Sequence, residues 1–396
     1  MRIRALEVVN LHYDYPEDQA HVCAEGHMGS RLTSLVLVWL DDGLMGIGSA
    51  YSHPSLVRVI VEDHLAPFLV GEDPLQIDEL WERMYSLTRW YGRKGVAISA
   101  LGAIDIALWD IRGQLEQRPV YEILGGNSPE VEAYASGLLW QEDVALLEDE
   151  ARRHLDDGFR LMKMRLGSDR EYDRAAVQRV CQVTRGKARV AVDGTHRYSP
   201  EQAEDLADLM AALEVAWFEE PFPPEDVEAY AALRSRVQVP IAAGENEFGM
   251  QGFRELLHAE AIDIAQPDVS RAGGLSEGVR IGCLAESYGV DIVTHTWSDA
   301  VALIANAHLV AALANGRAVE VDRTGCPFMN ELLVEPPCFV DGKLHLGQRP
   351  GLGIELDYDV VERLRVSAAE ETRAGNYSDL VFGGGPFTKV PPYARS

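Results

Sequence analysis

The sequence predicts an α/β fold dominated by a closed barrel of eight parallel strands. Three observations carry that reading. From residue 131 onward, short apolar runs alternate with helical stretches eight times over, the pattern of a parallel sheet. Nearly every run ends in a charged or ionisable side chain, and from Arg165 onward successive ones arrive 23 to 28 residues apart, one per strand-helix unit. Residues 1–128 follow a different pattern, with longer strand-like runs and one long helix.

The elements follow in order. "RIRALEVVNLHY" and "LTSLVLVWLDDGLMGIGSAY" open the chain as strands, and Asp41-Asp42-Gly43 marks a hairpin between two apolar runs. Ala97, Leu101, Ile104, Leu108 and Ile111 then recur three and four apart, giving a helix with a buried face. Gly125-Gly126 breaks the chain and marks the boundary, so that residues 1–128 form one unit and 129–345 the barrel. The barrel strands are expected in 131–137, 161–167, 188–194, 215–221, 240–246, 262–268, 291–297 and 317–322. Helices lie between them, and Ser199 before an acidic first turn is placed as an N-cap.

With 63 acidic against 36 basic side chains the net charge is −27, the wrong sign for nucleic acid or an anionic membrane surface. A small anionic ligand remains compatible if a local cationic pocket or a metal receives it. The five cysteines are scattered without metal or disulfide spacing. No apolar run is long enough to span a bilayer and no signal pattern opens the chain, so a cytoplasmic location and a homo-oligomer are the expectation.

The chemistry lies at the strand ends: Lys163 and Arg165, Asp193, Glu219, Glu245, Asp268, His295 and Glu320. Any one carboxylate there reads most often as a solvated loop residue or a helix cap. Seven positions in phase at the C-terminal rim, where such barrels carry their active sites, do not. Asp193, Glu219 and Glu245 come from three consecutive strands, and carboxylates brought together repel unless a cation sits among them. Oxygen ligands without cysteine select a hard ion, Mg²⁺ first and Mn²⁺ second. Asp268 beside His295 would fix the imidazole tautomer and raise its basicity, giving a general base. Lys163 and Arg165, two apart on one strand, face the same side and would hold an anion.

"DIALWDIRGQ", "PVYEILGG", "VDG", "WFEEP", "AGEN" and "QPDVSRAGGLSEG" together resemble the enolase superfamily across residues 1–360. His295 with Asp268, and Glu320 on the last strand, resemble its mandelate racemase subgroup. The resemblance implies a modified TIM barrel of (β/α)7β type, capped by an α+β domain built from the N-terminal segment and a returning C-terminal segment, 346–396. It implies Mg²⁺-assisted abstraction of the proton α to a carboxylate, with Asp193, Glu219 and Glu245 on the metal. His295 would be the base, and Glu320, if protonated, a hydrogen-bond donor to the substrate carboxylate or enediolate.

Two departures refine this. The subgroup commonly carries Lys-x-Lys where this chain has Lys163-Met164-Arg165, and an arginine is a poor proton acceptor at neutral pH. A racemase thereby loses its usual second base, a role Lys163 could take only in a re-angled pocket, so Lys163 stands as either base or clamp. A dehydratase of an acid sugar, giving a 2-keto-3-deoxy acid, needs one base only. An isomerase of the same subgroup (a sugar-acid lactone cycloisomerase, a racemase or an epimerase) is the alternative, and a non-catalytic metal- and acid-binding relative the rival from another class. Thr195 replaces the asparagine common two residues after the first metal ligand, and His196 follows it. His196 reads as a contact for distal substrate hydroxyls, as an auxiliary acid, or as a loop histidine capping the following turn. Residues 14–31 have the polarity of a lid, with His27 and Arg31 as substrate contacts, and 88–95, with Arg89 and Trp90, form a second candidate lid.

Overall fold

The structure, a computed structural model, describes residues 1–366 except 17, 18, 24, 25 and 168, and only the backbone at 22, 23, 26 and 27. The tail from 367 onward lies outside the described residues, and with it the later part of the expected returning segment 346–396.

Strands β1 (Ile3–Asp14), β4 (Ser30–Leu40) and β5 (Met45–Ala50) form an antiparallel sheet in the order β1-β4-β5. The expected hairpin joins β4 to β5, with Trp39 opposite Met45 and Gly43 at φ 92°. Between β1 and β4 the candidate lid contains a small hairpin, β2 (His21–Cys23) and β3 (Gly26–Met28). The helix Val96–Glu116 packs on this sheet so closely that a Cβ on Gly48 would lie 1.9 Å from the Ala103 carbonyl oxygen. The periodicity of that helix predicted one buried face, yet it is buried almost all round. The reason is its place between the sheet and the barrel. Its Asp105 accepts from Ser276 N at 2.9 Å and Ser276 Oγ at 2.6 Å, across to the barrel helix Gly274–Ser287. A helix apolar on every side needs such enclosure.

All eight expected barrel strands form. They are β6 (Glu130–Ser136), β7 (Leu161–Arg165), β8 (Arg189–Asp193), β9 (Phe218–Glu219), β10 (Ile241–Ala243), β11 (Ile264–Ala265), β12 (Asp291–Thr294) and β13 (Gly316–Asp322). They pair in parallel in chain order, and β13 closes on β6 with Glu320 opposite Tyr134. Helical connections join each strand to the next, so the architecture is a (β/α)7β barrel with a separate antiparallel sheet as its cap. Ser199 caps Pro200–Ala212 with a full capping box, as its position predicted. Past the barrel the chain returns to the cap, where Val366 N donates to the Asn10 carbonyl at 2.9 Å. Among the described residues no helix is long and apolar enough to cross a membrane.

Cap and barrel are joined by buried polar ties. Thr33 on β4 and Ser49 on β5 donate to Asp299 Oδ2 at 2.5 and 2.6 Å, and Asp299 also caps the barrel helix Ala300–Ala312. Tyr121 N donates to His308 Nδ1 at 3.0 Å, which leaves His308 Nε2 to donate to the Leu352 carbonyl at 3.2 Å.

Candidate active site

The barrel interior explains why the polar residues converge. Tyr134, Leu161, Ala191, Trp217, Ala242, Val293 and Ala318 pack together as one inward-facing layer. Two residues further along a strand faces the same way. That step places Ser136, Lys163, Asp193, Glu219, His295 and Glu320 in the next layer up, at the C-terminal rim. Glu245 breaks the phase. Gly244 before it has φ 128°, and a Cβ there would meet the Phe253 ring at 2.5 Å, so glycine is what allows β10 to turn its carboxylate inward.

Asp193, Glu219 and Glu245 bring carboxylate oxygens within 4.8 Å of one another. Burial, against the pull of nearby Lys163 and Arg165, pushes Asp193 up to about 6. Burial likewise pushes Glu219 up to about 8, despite Lys163. Glu245 Oε2 is buried with no hydrogen-bond partner. Three crowded oxygen donors, two of them resisting ionisation and one with an orphaned atom, fit a hard divalent cation of the Mg²⁺ type.

His295 is buried, and its Nδ1 lies 2.9 Å from Asp268 Oδ2. Asp268 is fixed in turn: its Oδ1 accepts from Ser270 N at 2.9 Å, Ser270 Oγ at 2.7 Å and Asn306 Nδ2 at 2.9 Å. A carboxylate can only accept, so Nδ1 carries the proton and Nε2 is the basic atom. Nε2 faces the cluster, 3.7 Å from Glu245 Oε2 and 4.0 Å from Glu320 Oε2. Burial disfavours the imidazolium, but Glu245, Glu320 and Asp268 as bare carboxylates outweigh it and lift His295 to about 9. A divalent cation on Glu245 would offset part of that pull and favour the neutral, proton-accepting ring.

Lys163 is fully buried, paired with Glu219 and, at 3.0 Å, with Glu320. Burial favours the neutral amine, yet Glu219, Glu320, Asp193 and Glu245 prevail and hold the ammonium well above its ordinary range. Glu320 therefore corrects one expectation. It was to be protonated among carboxylates. Burial does push in that direction, but Lys163, His295 and Arg165 bring it down to about 2, so it is ionised. Its Oε2 accepts from Thr296 N at 2.9 Å. Arg165 sits at the rim with Nε 3.5 Å from Asp193 Oδ2 and its guanidinium 4.2 Å from the centre of the Trp297 ring.

His196 sits beside this group. Its Nε2 is hydrogen-bonded to buried Glu220, which also accepts from Asn246 Nδ2 at 2.7 Å and Gly244 N at 3.2 Å. Thr195, His196 and Glu220 all have positive φ, backbone strain of the kind that collects at functional rims. Arg31, expected on the lid, is instead wholly buried on β4. Its Nη1 is 2.5 Å from Asp322 Oδ2 and its Nη2 donates to the Trp297 carbonyl at 2.5 Å. A charge in that position is retained by its partner. His27 lies on β3, where only the backbone is described. In the second candidate lid Trp90 is 82% exposed with Arg89 over its ring, while Lys94 reaches Glu247 on the barrel at 2.7 Å.

Sequence reasoning missed several residues. Tyr51 on the cap stacks on His295, with ring centres 6.0 Å apart. Arg271 lies over Tyr51 and donates to Asn246, completing a line of contacts from His295 round to His196. Trp297 lies two residues past His295, and that spacing was the available signal.

Residues 7–125 match the mandelate racemase / muconate lactonizing enzyme N-terminal domain, and residues 146–360 match the enolase C-terminal domain-like family. The chain is 34% identical to a D-galactarolactone cycloisomerase of Agrobacterium fabrum, over 85% of this chain and 92% of that one. It is 30% identical to an arabinonate dehydratase of Saccharolobus solfataricus, over 92% of this chain and 99% of that one. Among solved structures, an L-talarate dehydratase from Polaromonas sp. JS666 complexed with Mg and L-glucarate matches with a TM-score of 0.82 and 25% identity, over 92% of this chain and 98% of that one. These relatives thus include two sugar-acid dehydratases, one of them with Mg bound, and a lactone cycloisomerase. By both domain matches and by its barrel and cap, this chain is a member of the enolase superfamily, in the mandelate racemase / muconate lactonizing enzyme group.

Proposed function

We propose that the protein dehydrates a hydroxy-carboxylate of the acid-sugar class to a 2-keto-3-deoxy acid, using His295 as the single base. The observation that carries this reading is the asymmetry of proton acceptors. His295 Nε2 faces the carboxylate cluster, oriented by Asp268. The cations on β7 offer no second acceptor, Lys163 being held charged by its ion pair with Glu320 and Arg165 being permanently protonated.

Asp193, Glu219 and Glu245 would hold Mg²⁺, which supplies positive charge to the developing enediolate. His295 Nε2 takes the proton α to the carboxylate, and the C–H electrons move into the carboxylate. Arg165 receives that negative charge from the rim. The electrons then return to form the C=C bond as the β C–O bond breaks. The departing hydroxyl takes the proton from the imidazolium and leaves as water. The enol left behind tautomerises to the ketone. Asp268 keeps Nδ1 protonated throughout, and Glu320 anchors the segment bearing His295 through Thr296 N. His196, backed by Glu220, serves distal hydroxyls.

The cycloisomerase relative at 34% identity favours a second reading, in which the same proton abstraction rearranges a lactone. One screen separates the two. Acid sugars and their lactones are incubated with the protein and Mg²⁺, and products are examined by a 2-keto acid reaction and by mass. A keto product lighter than its substrate by one water supports dehydration. A product of unchanged mass formed from a lactone supports cycloisomerisation and rejects the dehydratase assignment.

A further inference from the structure

Trp297 takes no part in the proton chemistry above, yet three consecutive residues are pinned around it. His295 bonds Asp268, Thr296 N bonds Glu320, and the Trp297 carbonyl accepts from Arg31. The indole is buried and receives two guanidinium groups, Arg165 at 4.2 Å and Arg31 at 4.9 Å from the ring centre.

The two arginines differ in kind. Arg31 is fixed at both ends, by Asp322 and by the Trp297 carbonyl, and is shut away from solvent. Arg165 stands at the rim beside Asp193, where a substrate carboxylate would arrive. From the cap, Met28 of β3 packs on the indole, with Leu139 beside it. A long rim side chain has many rotamers, and ordering it on binding costs affinity. A ring face that attracts the cation narrows that range beforehand.

We propose that Trp297 is a positioning residue. It holds the Arg165 guanidinium ready for the substrate carboxylate, and Arg31 and Met28 fix the indole from the cap side. The proposal rests on the reading of Arg165 as the group that receives the anion. A ring that only fills space between cap and barrel would act on stability and not through Arg165.

A double-mutant cycle read by calorimetric binding of tartronate (hydroxymalonate) in the presence of Mg²⁺ separates these. The full-length wild type is compared with Arg165→Met, Trp297→Leu, Trp297→Phe and the Arg165→Met/Trp297→Leu double variant, each checked by its melting temperature. Arg165→Met and Trp297→Leu are expected each to weaken binding about tenfold, while Trp297→Phe, which keeps a ring, stays within about twofold of wild type. The double variant is expected to bind no more weakly than Arg165→Met alone. If Trp297→Leu does not fold, Trp297→Met, which fills space without a ring face, takes its place in the cycle. Wild-type binding by the ring-less variant, or full additivity in the double variant, overturns the role of Trp297 and leaves the anion site standing. No binding by wild type, or wild-type binding by Arg165→Met, overturns the anion-site reading and the proposal with it.

Discussion

Asp268→Asn is the sharpest probe of how His295 is set. Every partner on the Oδ1 side of Asp268 is a donor: Ser270 N, Ser270 Oγ and Asn306 Nδ2, at 2.7–2.9 Å. An asparagine would keep its carbonyl oxygen there and turn its NH₂ toward His295 Nδ1, now 2.9 Å from a carboxylate oxygen. An NH₂ donates, so Nδ1 must become the acceptor and the ring proton must move to Nε2. That is the nitrogen aimed at the carboxylate cluster, and a protonated nitrogen accepts nothing. In serine proteases the same tautomer reversal lowers kcat by about 10⁴. Here a loss of about 10³ to 10⁴ is expected, or roughly 4–5 kcal/mol of barrel-rim transition-state stabilisation. The fold should be little affected, because three of the four bonds survive. The assay is kcat for keto-acid formation on the sugar acid found by screening, with Mg²⁺ affinity and melting temperature measured alongside. Retention of more than about a tenth of wild-type kcat would refute the tautomer argument.

Other outcomes follow from the same geometry. Mg²⁺ should raise the melting temperature of the wild type, by about 3 kcal/mol of stability at a hundredfold excess over Kd. Glu245→Gln should lose most of that rise, and an equal rise in the variant would speak against the carboxylate cluster as the ion's seat. Arg31→Met leaves Asp322 charged and buried without its partner, so denaturant unfolding should show a loss of about 3–5 kcal/mol. A loss below 1 kcal/mol, on the order of a surface pair, would mean the cap does not depend on this tie. His308 is buried neutral, with burial pulling its pKa from 6.5 to about 4 against its bond to Leu352. Its stabilisation is complete above pH 6.5 and is lost as pH falls through 4, in total about 3 kcal/mol. Comparing wild type with His308→Gln from pH 7 to pH 4 isolates that limb, and parallel curves would contradict it.

Much of this site was legible in the sequence, because a barrel strand carries its chemistry at a fixed end. The apolar runs located the eight strands, and the charged side chain ending each run located Lys163, Asp193, Glu219, His295 and Glu320, which the structure places two residues past its inward apolar layer. Glu245 kept the interval of one polar residue per strand-helix unit but not the two-residue step, and the left-handed Gly244 is what lets it point inward. What did not show was any property set by partners far apart in the chain. The charge state of Glu320 depends on Lys163, 157 positions earlier, and on how closely the two approach. Arg31 looked like a lid residue because its neighbours are polar. Its burial follows from pairing with Asp322, 291 residues away. Tyr51 and Arg271 belong to cap and barrel separately, and only their docking makes them part of the rim.

The central claim is that proton chemistry at the α-carbon is served by His295 alone. It is tested most directly by following the identified sugar acid with protein and Mg²⁺ in D₂O by proton NMR. The account predicts a 2-keto-3-deoxy product, no accumulation of the C2 epimer, and no reaction with His295→Asn. Deuterated C2 epimer in the wild-type reaction, or turnover by His295→Asn, would contradict it, since the first requires a second group that delivers a deuteron to the opposite face and the second requires a proton acceptor other than His295.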